Sequence, residues 1–143
     1  MGSLERLILS NNKIFGPFLV NISFCQKLKV VDFSSNMFSG TIPSGICPGA
    51  SSLEEFRVPD NLISDQIPKQ LSQCWKLKPI DLSLNYLNGT IPTEIGNLEN
   101  LEQFIAWYNG LEGNISMELG KCKNLKDLIL NNNHLTGEFQ WNC

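Results

Sequence analysis

The chain has 143 residues, 42% of them hydrophobic, and sets 11 Lys and Arg against 14 Asp and Glu for a formal charge of −3. This is enough length and apolar content for one globular domain, and too apolar for a disordered chain. The mild acidity, with basic residues spread along the chain, argues against a nucleic-acid partner, and apolar runs of only a few residues leave no membrane-spanning segment.

The opening MGSLERLILS has neither the basic n-region nor the apolar h-region of a secretory signal, and Arg6 stands where a myristoylation signal needs Ser or Thr. Leu4 then begins a unit that restarts at Leu28, Leu53, Leu77, Leu101 and Leu125, every 24 or 25 residues, with the pattern LxxLxLxxNxLxGxIPxxL. In the first unit Leu7 and Leu9 alternate as a strand does, Asn12 follows at a turn and Gly16 comes just after. The second unit repeats this with Val31, Phe33, Asn36 and Gly40, and carries one extra residue in ICPGASSL. The third has Phe56, Val58 and Asn61 but places Asp65 where glycine is usual. The fourth has Ile80, Leu82, Asn85 and Gly89, with Pro79 inside the strand, where it removes a ladder donor and should weaken pairing locally. Phe104, Ala106, Asn109 and Gly113 fill the fifth, in which Ser116 replaces the usual proline, and Leu128, Leu130, Asn133 and Gly137 fill the sixth. The asparagine amide satisfies backbone groups that the turn leaves unpaired, and the glycine supplies positive φ.

A period in this range with this leucine pattern predicts a leucine-rich-repeat solenoid, an α/β repeat fold. A single array over residues 1–143 places a curved parallel sheet on the concave face, with short helical or 3-10 turns on the convex side. Six coils at the interstrand spacing give a sheet roughly 24 Å long. The second position of each unit runs Glu5, Lys29, Glu54, Lys78, Glu102, Lys126, a perfect alternation of sign, and the fifth includes Asp32, Arg57 and Asp81. Opposite charges on adjacent strands attract, so these ladders are expected to fix register.

Candidate chemistry is non-covalent. No serine elbow, phosphate loop or metal-binding motif occurs, and the only histidine, His134, follows a turn asparagine. Neither an enzyme activity, a cofactor nor a metal is therefore expected. The concave face offers Leu84, Ile105, Trp107, Tyr108 and Ile129 as an apolar and aromatic cluster beside the charged Arg57 and Asp81, a combination suited to a protein or peptide contact. The competing reading is incidental surface, or surface covered by other repeats of a longer superhelix. Three N-x-S/T sequons, at Asn21, Asn88 and Asn114, fall away from the concave strands and are candidate glycosylation sites. Of the five cysteines, Cys25, Cys74 and Cys122 share one repeat position and read as small buried hydrophobes. Cys47 lies off that register and has Cys74 or Cys25 as partner in an adjacent coil, with Cys74 preferred.

The elements Gly40-Thr41-Ile42-Pro43 and Gly89-Thr90-Ile91-Pro92 mark the plant-specific class of leucine-rich repeats. Within that class, LSNNKIFGPF, LKVVDFSSNMFSGTIPSGICPGASSLEE and LEQFIAWYNGLEGNI resemble the ectodomain repeats of brassinosteroid-receptor-like receptor kinases. The resemblance implies an extracellular array ahead of a membrane helix and a kinase, neither present in the sequence. It also implies ligand or co-receptor recognition in hormone or developmental signalling. Steroid binding in that family needs an island domain, for which the near-constant period leaves no room. Two other readings stay open. One is a secreted inhibitor of a cell-wall-degrading enzyme, which cysteine-paired caps would favour. The other is a truncated product without independent function, which uncapped ends and broken motifs would favour. The resemblance places the chain outside the cell or at the plasma membrane, whereas the sequence as written carries no signal peptide and would remain cytoplasmic.

Overall fold

The computed structural model describes residues 2–17, 22, 24–49 and 52–141. Six short strands, β1 (Arg6–Ile8), β3 (Val30–Asp32), β5 (Glu55–Arg57), β7 (Pro79–Asp81), β9 (Gln103–Ile105) and β11 (Asp127–Ile129), form one parallel sheet in that order. Like repeat positions face each other, as in Val31↔Phe56 and Ile80↔Phe104. Val31, Phe33, Phe56, Val58, Ile80, Leu82, Phe104 and Ala106 are all fully buried. Their counterparts in the end coils, Leu7, Leu9, Leu128 and Leu130, pack against the same core but are only partly buried. The inward–outward alternation read from the sequence therefore sets the core.

A second parallel sheet, not anticipated from the leucine spacing, runs along the flank of the solenoid. It joins β2 (Phe15–Pro17), β4 (Met37–Gly40), β6 (Leu62–Gln66), β8 (Tyr86–Thr90), β10 (Gly110–Gly113) and β12 (His134–Leu135). Here the pairing is staggered: Ser64 of one coil faces Tyr86 of the next, two repeat positions earlier. Phe38, Ile63, Leu87 and Leu111 point inward and are buried, while Met37, Leu62 and Tyr86 remain exposed. Gly40, Gly89 and Gly113 turn the chain with φ of 80°, 68° and 76°. Asp65 does the same at φ 71°, and its carboxylate accepts a hydrogen bond from the Gln66 amide at 2.9 Å. An aspartate thus replaces the glycine by bonding to its own turn.

The opposite side of the second to fifth coils carries α1 (Ile46–Gly49) and 3-10 turns at Lys69–Gln73, Thr93–Asn97 and Met117–Lys121, each in contact with the next. Extended prolines, Pro68 and Pro92, precede the first two of these 3-10 turns. Ser116 precedes the third, and its hydroxyl accepts from the Glu118 amide at 3.1 Å, so the lost proline is replaced by a cap.

Asparagine side chains tie the coils together. Asn61 donates to the Phe33 carbonyl one coil back at 2.9 Å, and its Oδ1 accepts from the Phe38 amide at 3.0 Å. Asn36, Asn85, Asn109 and Asn133 repeat the arrangement. The effect of Pro79 is local. Other coils place two consecutive amides on one carbonyl, as Gln103 and Glu102 do on Lys78, whereas at the proline only Lys78 donates to Glu54. Among the described residues no helix is long and apolar enough to cross a membrane.

Candidate functional site

The first sheet sets Ile8, Asp32, Arg57, Asp81, Ile105 and Ile129 side by side on consecutive strands, one from each coil. Charge therefore occupies the middle of the row and apolar side chains its ends. The fifth-position charges do not pair across strands as the ladder reading expects. Asp32 accepts from the amide and hydroxyl of Ser34, and Asp81 likewise from Ser83, because a serine two residues on is a closer donor. Arg57 pairs instead with Glu55 on its own strand at 3.7 Å, and its buried Nε makes no hydrogen bond.

The second-position ladder closes at its two ends and opens in the middle. Lys29 donates to Glu5 at 2.7 Å and Lys126 to Glu102 at 2.6 Å. These contacts hold both carboxyls below their ordinary range and both ammonium groups above theirs. Among the described residues neither Glu54 nor Lys78 takes part in an ion pair. A shallow cleft of about 290 Å³ lies there, lined by Glu55, Arg57, Lys78, Pro79, Glu102 and Gln103.

The predicted aromatic cluster extends from the first sheet to the flank. Ile105 and Ile129 are direct cross-strand neighbours, and the Leu84 amide donates to the Trp107 carbonyl at 2.9 Å, which brings these residues together. Trp107 meets Tyr108 edge-on, with ring centroids 6.4 Å apart. Tyr108, however, lies at the rim: with Tyr86 it flanks a second cleft of about 280 Å³, floored by Gly110. Leu84 and Tyr108 adopt φ of 53° and 56°, as do Asn11, Ser35, Asp60 and Asn132 at the same repeat position, so this backbone is a property of the repeat.

Sequence reasoning missed Tyr86, which is 65% exposed, together with Met37 and Leu62 at the equivalent position of earlier coils. The signal was a tenth repeat position that is apolar in three successive units. Asn88 is exposed on β8, and Asn114 is exposed just beyond β10, both on the flank. Asn21 lies outside the described residues. Cys47 and Cys74 form a disulfide, with Cα atoms 5.1 Å apart and S–S at 2.05 Å. Cys25 and Cys122 are buried free thiols, and burial pushes the Cys122 thiol up. Among the described residues no cluster of His, Cys, Asp or Glu has the makings of a metal site.

The Leucine Rich Repeat family model matches residues 3–25 and 27–48. No curated protein matches the chain. Solved structures similar to it include the plant peptide hormone receptor RGFR1 in complex with RGF2, at 35% identity over 94% of this chain and 21% of that one, with a TM-score of 0.92. The Arabidopsis receptor kinase HAESA, in complex with the peptide hormone IDA and the co-receptor SERK1, is 36% identical over 96% of this chain and 23% of its own, with a TM-score of 0.92. The BIR3–SERK2 complex from Arabidopsis thaliana gives 30% identity over 92% of this chain and 69% of that one, at a TM-score of 0.81. The chain thus spans about a fifth of the first two of these receptors. A six-coil array with two parallel sheets, asparagine ladders and GxIP turns belongs to the leucine-rich-repeat family, in the form that builds plant receptor kinase ectodomains.

Proposed function

We propose that this array recognises an extended peptide or a co-receptor ectodomain through its concave sheet, without catalysis. The observation that supports this most is the row Arg57, Asp81, Ile105 and Ile129, beside Trp107, at the place where the charge ladder opens. Apolar anchors next to an arginine without a full set of partners are the makings of an interface hot spot. A sheet about 24 Å long matches about seven residues of extended peptide. Similar receptors bind peptide hormones and co-receptors, and that likeness favours the same class of partner here. The brassinosteroid-receptor-like branch rests on the quoted motifs alone, and direct steroid binding forms no part of this reading. The exposed sequons and the Cys47–Cys74 bond favour an extracellular place for the chain.

Panning a phage library of random linear peptides against the array, secreted from eukaryotic cells, tests the reading. Selected peptides should lose about tenfold or more in affinity when Trp107→Ala or Arg57→Ala is introduced. Met117→Ser, on the opposite side of the coil, should leave them unaffected. Binders indifferent to both concave substitutions would overturn it.

A further inference from the structure

The Asn88-Gly89-Thr90 sequon opens directly onto the cleft walled by Tyr86 and Tyr108. Along β8 exposure alternates: Tyr86, Asn88 and Thr90 face solvent, while Leu87 is buried. Tyr86 and Asn88 therefore share a face, with Cα atoms about 7 Å apart. The cross-strand partner of Asn88 on β10 is Gly110, so nothing projects on that side. Even a methyl group at Gly110 would stand 3.2 Å from the Leu87 carbonyl oxygen. The partner on the other side, Gln66, lays its side chain over Gly89, 2.9 Å from where a Cβ would be. On the β10 side of Asn88 the open space is thus the floor between the two tyrosines. At about 280 Å³ the cleft falls below the ~300–1,000 Å³ of a drug-sized ligand site, a scale suited to one sugar ring tethered beside it.

We propose that an N-linked glycan on Asn88 seats its first N-acetylglucosamine in this cleft, against the Tyr86 ring, and so braces the fourth and fifth coils. The inference rests on the extracellular placement proposed above. In the attachment step, Asn88 Nδ2 bonds to the anomeric carbon of a lipid-pyrophosphate-linked oligosaccharide. The lipid pyrophosphate leaves, and the amide proton passes to a base of the host transferase. Once attached, the sugar's C–H face meets the electron-rich face of the ring of Tyr86, a residue that is 65% exposed, covering apolar surface that otherwise faces water. The occupant is built into the chain, which distinguishes this cleft from the open one around Arg57.

The full chain, secreted from eukaryotic cells making high-mannose glycans and trimmed by endoglycosidase to a single N-acetylglucosamine, provides the test. Peptide mass spectrometry reads occupancy at Asn88, NMR reads the sugar protons, and thermal melting reads the brace. The proposal predicts occupancy, sugar resonances shifted upfield by an adjacent ring, and a melting midpoint about 2–4 °C above that of Asn88→Gln. In Tyr86→Ala the upfield shift and the gain in midpoint should both vanish. An unoccupied Asn88, or a sugar with free-solution shifts and no gain, overturns the proposal. The shift is read on the unsubstituted chain, so the test stands even if Tyr86→Ala folds poorly. Neither result bears on concave recognition, which peptide binding reads separately.

Discussion

The side-chain amide of Asn85 donates to the Val58 carbonyl at 2.9 Å, 27 residues back in the preceding coil, while its Oδ1 accepts from the Ile63 amide at 3.0 Å. Two more bonds, to Leu82 and Ser83, hold its own turn. One buried side chain thus satisfies backbone from both sheets of one coil and the turn of the next. Asn85→Ala leaves the buried Ile63 amide unpaired, at a cost of about 1–3 kcal/mol, and removes one bond each from the Val58, Leu82 and Ser83 carbonyls, which keep Asn61, Asn109 and the Asp60 amide as donors. Urea denaturation should show a loss of about 2–3 kcal/mol. Asn12 is exposed, and among the described residues its side chain bonds only to Leu9 and Ser10 of its own coil, so its change to alanine should cost less than about 1 kcal/mol. Equal losses at the two positions would contradict the inter-coil role.

Gly96 is required by packing between the turns. A Cβ there would lie 2.2 Å from the Glu118 carbonyl oxygen of the next coil, and backbone cannot step aside as a flexible side chain can. Gly96→Ala should destabilise the array by about 1–3 kcal/mol or more. Gly120→Ala, which meets nothing within 4 Å, should not. Thermal melting of the two variants makes the comparison.

The Cys47–Cys74 bond joins α1, in the coil with the extra residue, to the end of the next turn across 27 residues. Its removal as Cys47→Ala with Cys74→Ala should cost about 2–4 kcal/mol in urea denaturation. Unsubstituted protein held under reducing conditions should lose a comparable amount. Stability unchanged by reductant would show that the bond contributes nothing.

The Glu102–Lys126 contact gives a signed dependence on pH. The hydrogen bond and charge of Lys126 lower the Glu102 carboxyl from its ordinary 4.5, and Glu102 raises Lys126 from 10.5. The carboxylate's contribution is therefore full above its unfolded value and is lost as pH falls through the lowered folded one. The lysine's contribution is full below its unfolded value and is lost as pH rises through the raised folded one. The rung works across neutral pH and fails at both extremes. Carboxyl NMR should place the Glu102 midpoint below 4.5, returning toward it in Lys126→Met and in strong salt. An unchanged midpoint would mean that no such contact persists in solution.

Much of this architecture was legible in the sequence. The alternation at Val31 and Phe33, or Ile80 and Leu82, gave one buried face, and the recurring asparagine marked the turn, though not the bonds it makes to the preceding coil. The second sheet was not legible, because strands such as Tyr86–Thr90 pass through a positive-φ glycine, which reads as a turn. The fifth-position ladder failed because sequence order alone gave no weight to Ser34 and Ser83, whose local bonds to Asp32 and Asp81 displace the cross-strand pairing. Tyr108, read from the sequence as part of the concave cluster, meets Trp107 edge-on and also lines the flank cleft with Tyr86.

Hydrogen–deuterium exchange of the array, with and without a peptide selected for binding, most directly tests recognition by the concave sheet. The account predicts slowed exchange along β7, β9 and β11 and the segments following them, with β4, β6 and the turn at Met117–Lys121 unchanged. Protection confined to the flank strands or to the turns of the opposite side would contradict it.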